Sequence, residues 1–234
     1  MTKKFFLALA LIFAVSAAGQ RVGAQQPQQP ARPRPTPPPQ EQPQPQPAAP
    51  AKPHDHSQMH KKTAPMADPS AAQKYFSDVE LLTQDGDRVR FYSDILKGKT
   101  VVINAFFTTC TTICPPMNRN MEKIQEAFGE RIGKDLFLVS ITVDPTTDTP
   151  PRLKEYAQKF NARPGWLFLT GKKENVDWAL YKLGHYVEFK DQHTNIFIVG
   201  NEATGLWKKA FGMAKHDELV KLIQGVVDDK PTAN

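Results

Sequence analysis

The chain has 234 residues, 40% of them hydrophobic and 23% charged, and a net charge of +6. Residues 1–70 hold eight Lys and Arg against three acids, which leaves 22 basic and 21 acidic side chains beyond them. That near-neutral remainder excludes the basic surface expected of a nucleic-acid binder, and two cysteines are too few for a disulfide-built scaffold.

In chain order, Lys3-Lys4 precede an apolar run over residues 5–18 and then small residues, with cleavage expected after Ala18 or Ala24. This is the pattern of a secretory signal peptide over residues 1–24, and the run is shorter than the ~20 residues that span a bilayer. The protein is expected to be exported and periplasmic, or tethered at the inner membrane if the segment is not cleaved. In an oxidising compartment an isolated cysteine pair tends towards the disulfide unless a reductant or a metal holds it otherwise.

Residues 25–70 are rich in Pro and Gln, and 14 of the 21 prolines lie between Pro27 and Pro69. Such a segment buries too little surface to offset its ordering entropy, and its proline density favours an extended, semi-rigid tether. Within it, His54, His56 and His60 fall inside seven residues, with Met59 among them and Met66 further on. They read either as a solvated polar stretch or as a flexible metal-collecting tail, since imidazole and thioether both bind copper.

Residues 71–230 have the size of one domain. Residues 75–82 and 88–92 read as a hairpin about Asp85-Gly86, and Ser93 as the cap of a short helical turn ending near Gly98. Residues 100–107 form a continuous apolar run, as in a strand covered on both faces. Residues 117–129 place Met117, Met121, Ile124 and Phe128 at helical spacing, and Pro115-Pro116 suit the start of that helix. A second buried strand follows at 136–143, then a helix to Phe160 that Thr149 would cap. A strand at 166–169 and a helix at 174–183 come next, then a short strand at 187–189. A hairpin of 195–199 with 206–211 and an amphipathic helix at 217–227 close the chain. The alternation predicts an α/β fold, a thioredoxin-like sandwich with a central mixed sheet flanked by helices, plus an N-terminal hairpin.

Cys110 and Cys114, the only cysteines, lie on the loop between the first buried strand and its helix. A helix start favours a thiolate, and Pro115 pushes Cys114 away from helical geometry, so both sulfurs are expected to face outward and ionise. Two thiols there can serve as a redox couple, as two ligands of a soft metal, or as a staple. The small loop argues against the staple, because closing it removes little chain entropy. Three intervening residues make a wider loop than the two usual in redox thioredoxins, which suits joint binding of one ion. Two ligands seldom complete a site, so a third is sought among the histidines of the domain. His216, at the start of the last helix, reads as surface or capping. His185, at a helix end, reads as a cation favoured by the helix dipole. His193 precedes the strand expected to start beside the cysteine loop. Cys110, Cys114 and His193 suit copper better than structural zinc, which prefers four ligands.

Three separated motifs, CTTICP at 110–115, TVDPTTDTP at 142–150 and DQHT at 191–194, resemble the Sco/SenC family of copper chaperones. The resemblance spans residues 71–228. It implies a thioredoxin-like fold and copper bound by Cys110, Cys114 and His193. It also implies delivery of copper to the binuclear site of cytochrome c oxidase subunit two, or reduction of that site's cysteines. Another copper acceptor and a thiol reductant are the further partners it allows. Two positions depart from the family pattern. Thr147 stands where a basic residue is common, and Gln192 where an aspartate often precedes the histidine. The Pro-rich tether also replaces the transmembrane helix of many members. Asp144 and Asp148 read either as groups that orient the ligands or engage a partner, or as turn and capping residues. The rival function is a periplasmic thiol-disulfide oxidoreductase, in which Cys110 attacks and Cys114 resolves. A peroxidase is disfavoured, because no Arg-backed cysteine motif is present.

Overall fold

A computed structural model of the chain describes residues 69–231. The expected signal peptide, the tether up to residue 68 and the His54–His60 cluster lie outside the described residues. Seven strands form one sheet: β1 (Glu80–Thr83), β2 (Arg88–Arg90), β3 (Thr100–Phe106), β4 (Leu136–Thr142), β5 (Trp166–Thr170), β6 (Ile196–Asn201) and β7 (Leu206–Phe211). Their order is β2-β1-β5-β4-β3-β6-β7. β3, β4 and β5 run parallel at the centre, while β1 and β6 flank them antiparallel. The mixed sheet and the N-terminal hairpin agree with the sequence reading.

Helices cover both faces. On one side lie α2 (Cys114–Phe128), α3 (Pro150–Gln158) and α5 (His216–Val227), packing Met117, Met121, Ile124, Phe128, Leu153, Tyr156 and Ile223 against the sheet. On the other lie α1 (Pro69–Phe76) and α4 (Lys173–Leu183), with a π-helical turn over Phe91–Leu96. Burial on both faces explains why every residue of β3 is buried, Asn104 included. Asn104 is accommodated by a chain of hydrogen bonds across the central strands. Trp166 Nε1 donates to Ser140 Oγ at 3.0 Å, Ser140 donates to Asn104 Oδ1 at 2.7 Å, and Asn104 Nδ2 donates to Asn118 Oδ1 at 3.0 Å. Asn118 in turn donates to the Tyr156 hydroxyl at 3.1 Å.

The structure corrects several local readings. The stretch expected to begin as a strand at Tyr75 begins as helix α1, because Phe76 docks on Phe91 and Trp207 and amphipathic packing overrides strand propensity. Residues 187–189 form no strand. Ser93 does not cap the turn but lies inside it, its amide and hydroxyl both bound to the Asp78 carboxylate at 2.7 and 2.6 Å. Thr149 occupies the N-cap of α3 in extended geometry without a side-chain hydrogen bond.

Candidate metal centre

Cys110 follows the end of β3, and Cys114 is the first residue of α2 rather than a residue held outside it. The Cys114 amide donates to Cys110 Sγ at 3.3 Å, so the thiol four residues back caps the opening turn of the helix. His193 follows a short 3-10 turn at Lys190–Gln192 and precedes β6. Because β6 pairs with β3 in antiparallel register, Asn104 against Phe197, the segment entering β6 reaches the loop leaving β3. The donor atoms of Cys110, Cys114 and His193 all lie within 4.8 Å of one another. Both thiols are free, and Cys114 Sγ stands 3.4 Å from His193 Nε2.

The two cysteines differ in environment, against the expectation that both face outward. Cys114 is fully buried, and that desolvation, with the neighbouring Cys110, raises its pKa far above the usual thiol range. Cys110 is half-buried. Desolvation opposes its ionisation, but the Cys114 thiol and the amides of Cys114, Thr112 and Ile113 outweigh it and lower its pKa. His193 is 8% exposed, and burial lowers its pKa, which favours the neutral imidazole a metal needs. Its Nδ1 is buried without a side-chain partner, and the Thr194 backbone partly offsets the effect of burial on the ring.

The other histidines among the described residues do not join this group. His216 is the first residue of α5, but it is partly buried with Nδ1 unpartnered and makes no cap hydrogen bond, so the surface or capping role expected of it is not what it has. His185 is buried, and the dipole-favoured cation expected there is wrong. Desolvation, aided by the nearby Lys209 and His193, lowers its pKa to about 4, so it is neutral at pH 7. Its Nδ1 lies 3.3 Å from the Thr194 hydroxyl, beside the candidate ligand.

The turn after β4 gives each carboxylate a partner near the site, and Asp144 keeps its turn role as well, bonded to Thr147. Asp148, fully buried, accepts from the Thr108 amide at 3.1 Å, from the Thr108 hydroxyl and from the Thr142 hydroxyl at 2.5 Å. Arg152 also donates to the Thr108 hydroxyl, at 2.8 Å. Asp148 thus fixes the start of the cysteine loop, while Asp144 meets Lys190 Nζ at 2.8 Å and holds the histidine loop. Sequence reasoning missed Thr108 and Lys190. The basic residue three before the histidine was the available signal for Lys190.

The sheet order and this Cys-Cys-His group define a thioredoxin-like protein whose cysteine loop is joined by a histidine 79 residues further along the chain. The SCO1/SenC family model matches residues 67–227, and the chain belongs to that family. It is 39% identical to the SCO2-like protein of Rickettsia conorii over 103 residues, 44% of this chain and 48% of that one. The chain therefore spans about half the length of this relative. The SCO1/SenC family lipoprotein of Bacillus anthracis superposes with a TM-score of 0.55 at 28% identity, covering 64% of this chain and 92% of the other. Yeast Sco1, solved with copper bound, superposes with a TM-score of 0.54 at 26% identity, covering 65% and 92%.

Proposed function

We propose that the chain is an exported copper chaperone that binds copper as cargo through Cys110, Cys114 and His193 and passes it to a protein acceptor. The observation that carries this reading is the convergence of two sulfurs and one imidazole nitrogen within 4.8 Å. Two thiolates with an imidazole are soft donors that suit Cu(I), and a set of three falls short of the four that structural zinc prefers. Binding would displace the proton that burial keeps on Cys114, whereas Cys110 is the easier of the two to ionise.

Hand-over needs the acceptor's ligands to reach the ion. Cys110 is only half-buried, and Ile113, Phe189, Phe211 and Met213 present exposed apolar side chains on the segments that carry or adjoin the three donors. Association of the Sco family with cytochrome c oxidase assembly makes the binuclear copper site of oxidase subunit two the proposed acceptor. Export rests on the signal-peptide pattern of residues 1–24 and on the lipoprotein nature of the Bacillus anthracis relative. Among the described residues no helix is long and apolar enough to cross a membrane.

Anaerobic copper titration of the reduced chain beside His193→Ala tests the site. One copper per chain, bound at least tenfold more weakly by the variant, is the expected result. Binding indifferent to His193 would overturn it.

The asymmetry of the thiols favours a second reading, a thiol-disulfide oxidoreductase. The Cys110 thiolate would attack a substrate disulfide and release one substrate thiolate. Cys114 would then displace the second, leaving Cys110–Cys114 oxidised. That activity would survive His193→Ala.

A further inference from the structure

A metal-binding histidine is commonly oriented by a hydrogen bond from its other nitrogen to a carboxylate or carbonyl. His193 has no side chain for that role: Nδ1 is buried with no side-chain partner, the Thr194 backbone acts on the imidazole, and the preceding residue is the exposed Gln192. What touches the imidazole instead is Phe107, edge to face, with centroids 5.3 Å apart and planes at 88°. Lys190 Nζ stands 5.3 Å from the centroid of the same ring, a cation–π distance. The backbone joins the two residues again, since the His193 amide donates to the Lys190 carbonyl at 3.2 Å. Lys190 itself is tied to the mostly buried Asp144 at 2.8 Å.

We propose that the Asp144–Lys190 pair, acting through Phe107, is the positioning device for His193, in place of a side-chain hydrogen bond to Nδ1. The inference rests on His193 being a copper ligand, as proposed above. Asp144 anchors Lys190 to the turn after β4, and that turn is fixed to the cysteine loop through Asp148 and Thr108. The histidine and the cysteines are thereby referred to one rigid element, although they lie on segments 79 residues apart. A half-exposed ion pair adds little to global stability, so the role predicted is local: it sets where the imidazole points.

The test uses the full chain and three variants, Lys190→Ala, Lys190→Arg and Asp144→Asn, with two readouts. The first needs no metal: the nuclear Overhauser contact between the Phe107 and His193 rings, with the His193 ring line widths. The second is copper affinity with the spectrum of the bound Cu(II) form. Lys190→Ala and Asp144→Asn are expected to weaken the ring contact, broaden the His193 signals and lower affinity about tenfold. Their urea midpoints should stay near that of the parent, and Lys190→Arg should restore both readouts. An unchanged ring contact in Lys190→Ala, or an arginine variant as impaired as the alanine one, overturns the proposal. If the parent chain binds no copper, the copper reading fails, and the metal-free ring contact still decides whether the pair orients His193.

Discussion

Cys114 Sγ and His193 Nε2 lie 3.4 Å apart, both buried, at the junction of two loops separated by 79 residues. The antiparallel pairing of β3 with β6 brings them together. An ion bound there would be shielded from water on the Cys114 side and approachable from the Cys110 side.

The thiols should differ in reactivity. Iodoacetamide at pH 7 is expected to label Cys110 first, with a rate profile inflecting below the usual thiol range, because its folded pKa is lowered. Cys114, with a raised pKa, should resist labelling while the chain stays folded. Peptide mapping of the alkylated protein checks this, and equal labelling of the two would refute it.

Removal of the Asp148 carboxylate should both destabilise the chain and loosen the site. Asp148→Ala leaves the Thr108 amide and the buried Thr142 hydroxyl without their acceptor, a cost of about 2–4 kcal/mol. Urea unfolding measures the loss, and the alkylation profile of Cys110 in the variant should inflect higher, nearer the ordinary thiol range, as its loop is released from the amides that lower its pKa.

The buried His185 gives stability a slope in acid. Its folded pKa of about 4 lies below the 6.5 of a free imidazole, so between these values the unfolded chain binds the extra proton. Its contribution is fully present above pH 6.5 and is lost as pH falls towards 4, by up to about 3 kcal/mol. His185→Gln should flatten that part of the stability curve. A slope unchanged in the variant would mean that His185 is already protonated in the fold.

Asn104 should behave as a polar keystone of the sheet. Asn104→Ala breaks the chain from Trp166 to Tyr156 in the middle, stranding the Ser140 hydroxyl proton and the Asn118 Oδ1 acceptor at a cost of about 2–4 kcal/mol. A lower denaturant midpoint with an unchanged slope is the expected result.

The architecture and the chemical inventory were legible in the residues alone. Continuous apolar runs identified β3 and β4 because both faces of the sheet are covered. The 3.6-residue spacing of Met117, Met121, Ile124 and Phe128 marked the buried face of α2. The CxxxC loop and a histidine before β6 supplied the donors, since residue type dictates soft-metal chemistry and position in an alternating fold dictates proximity. How those residues behave depends on their packing in three dimensions. Cys114 ended up buried and Cys110 half-buried, His185 became neutral, and Asp144 and Asp148 took separate loops. Each outcome depends on desolvation and on distances closed across tens of residues, quantities that local propensity does not encode. Strand pairing brings the donors together, and the packing around them sets their protonation.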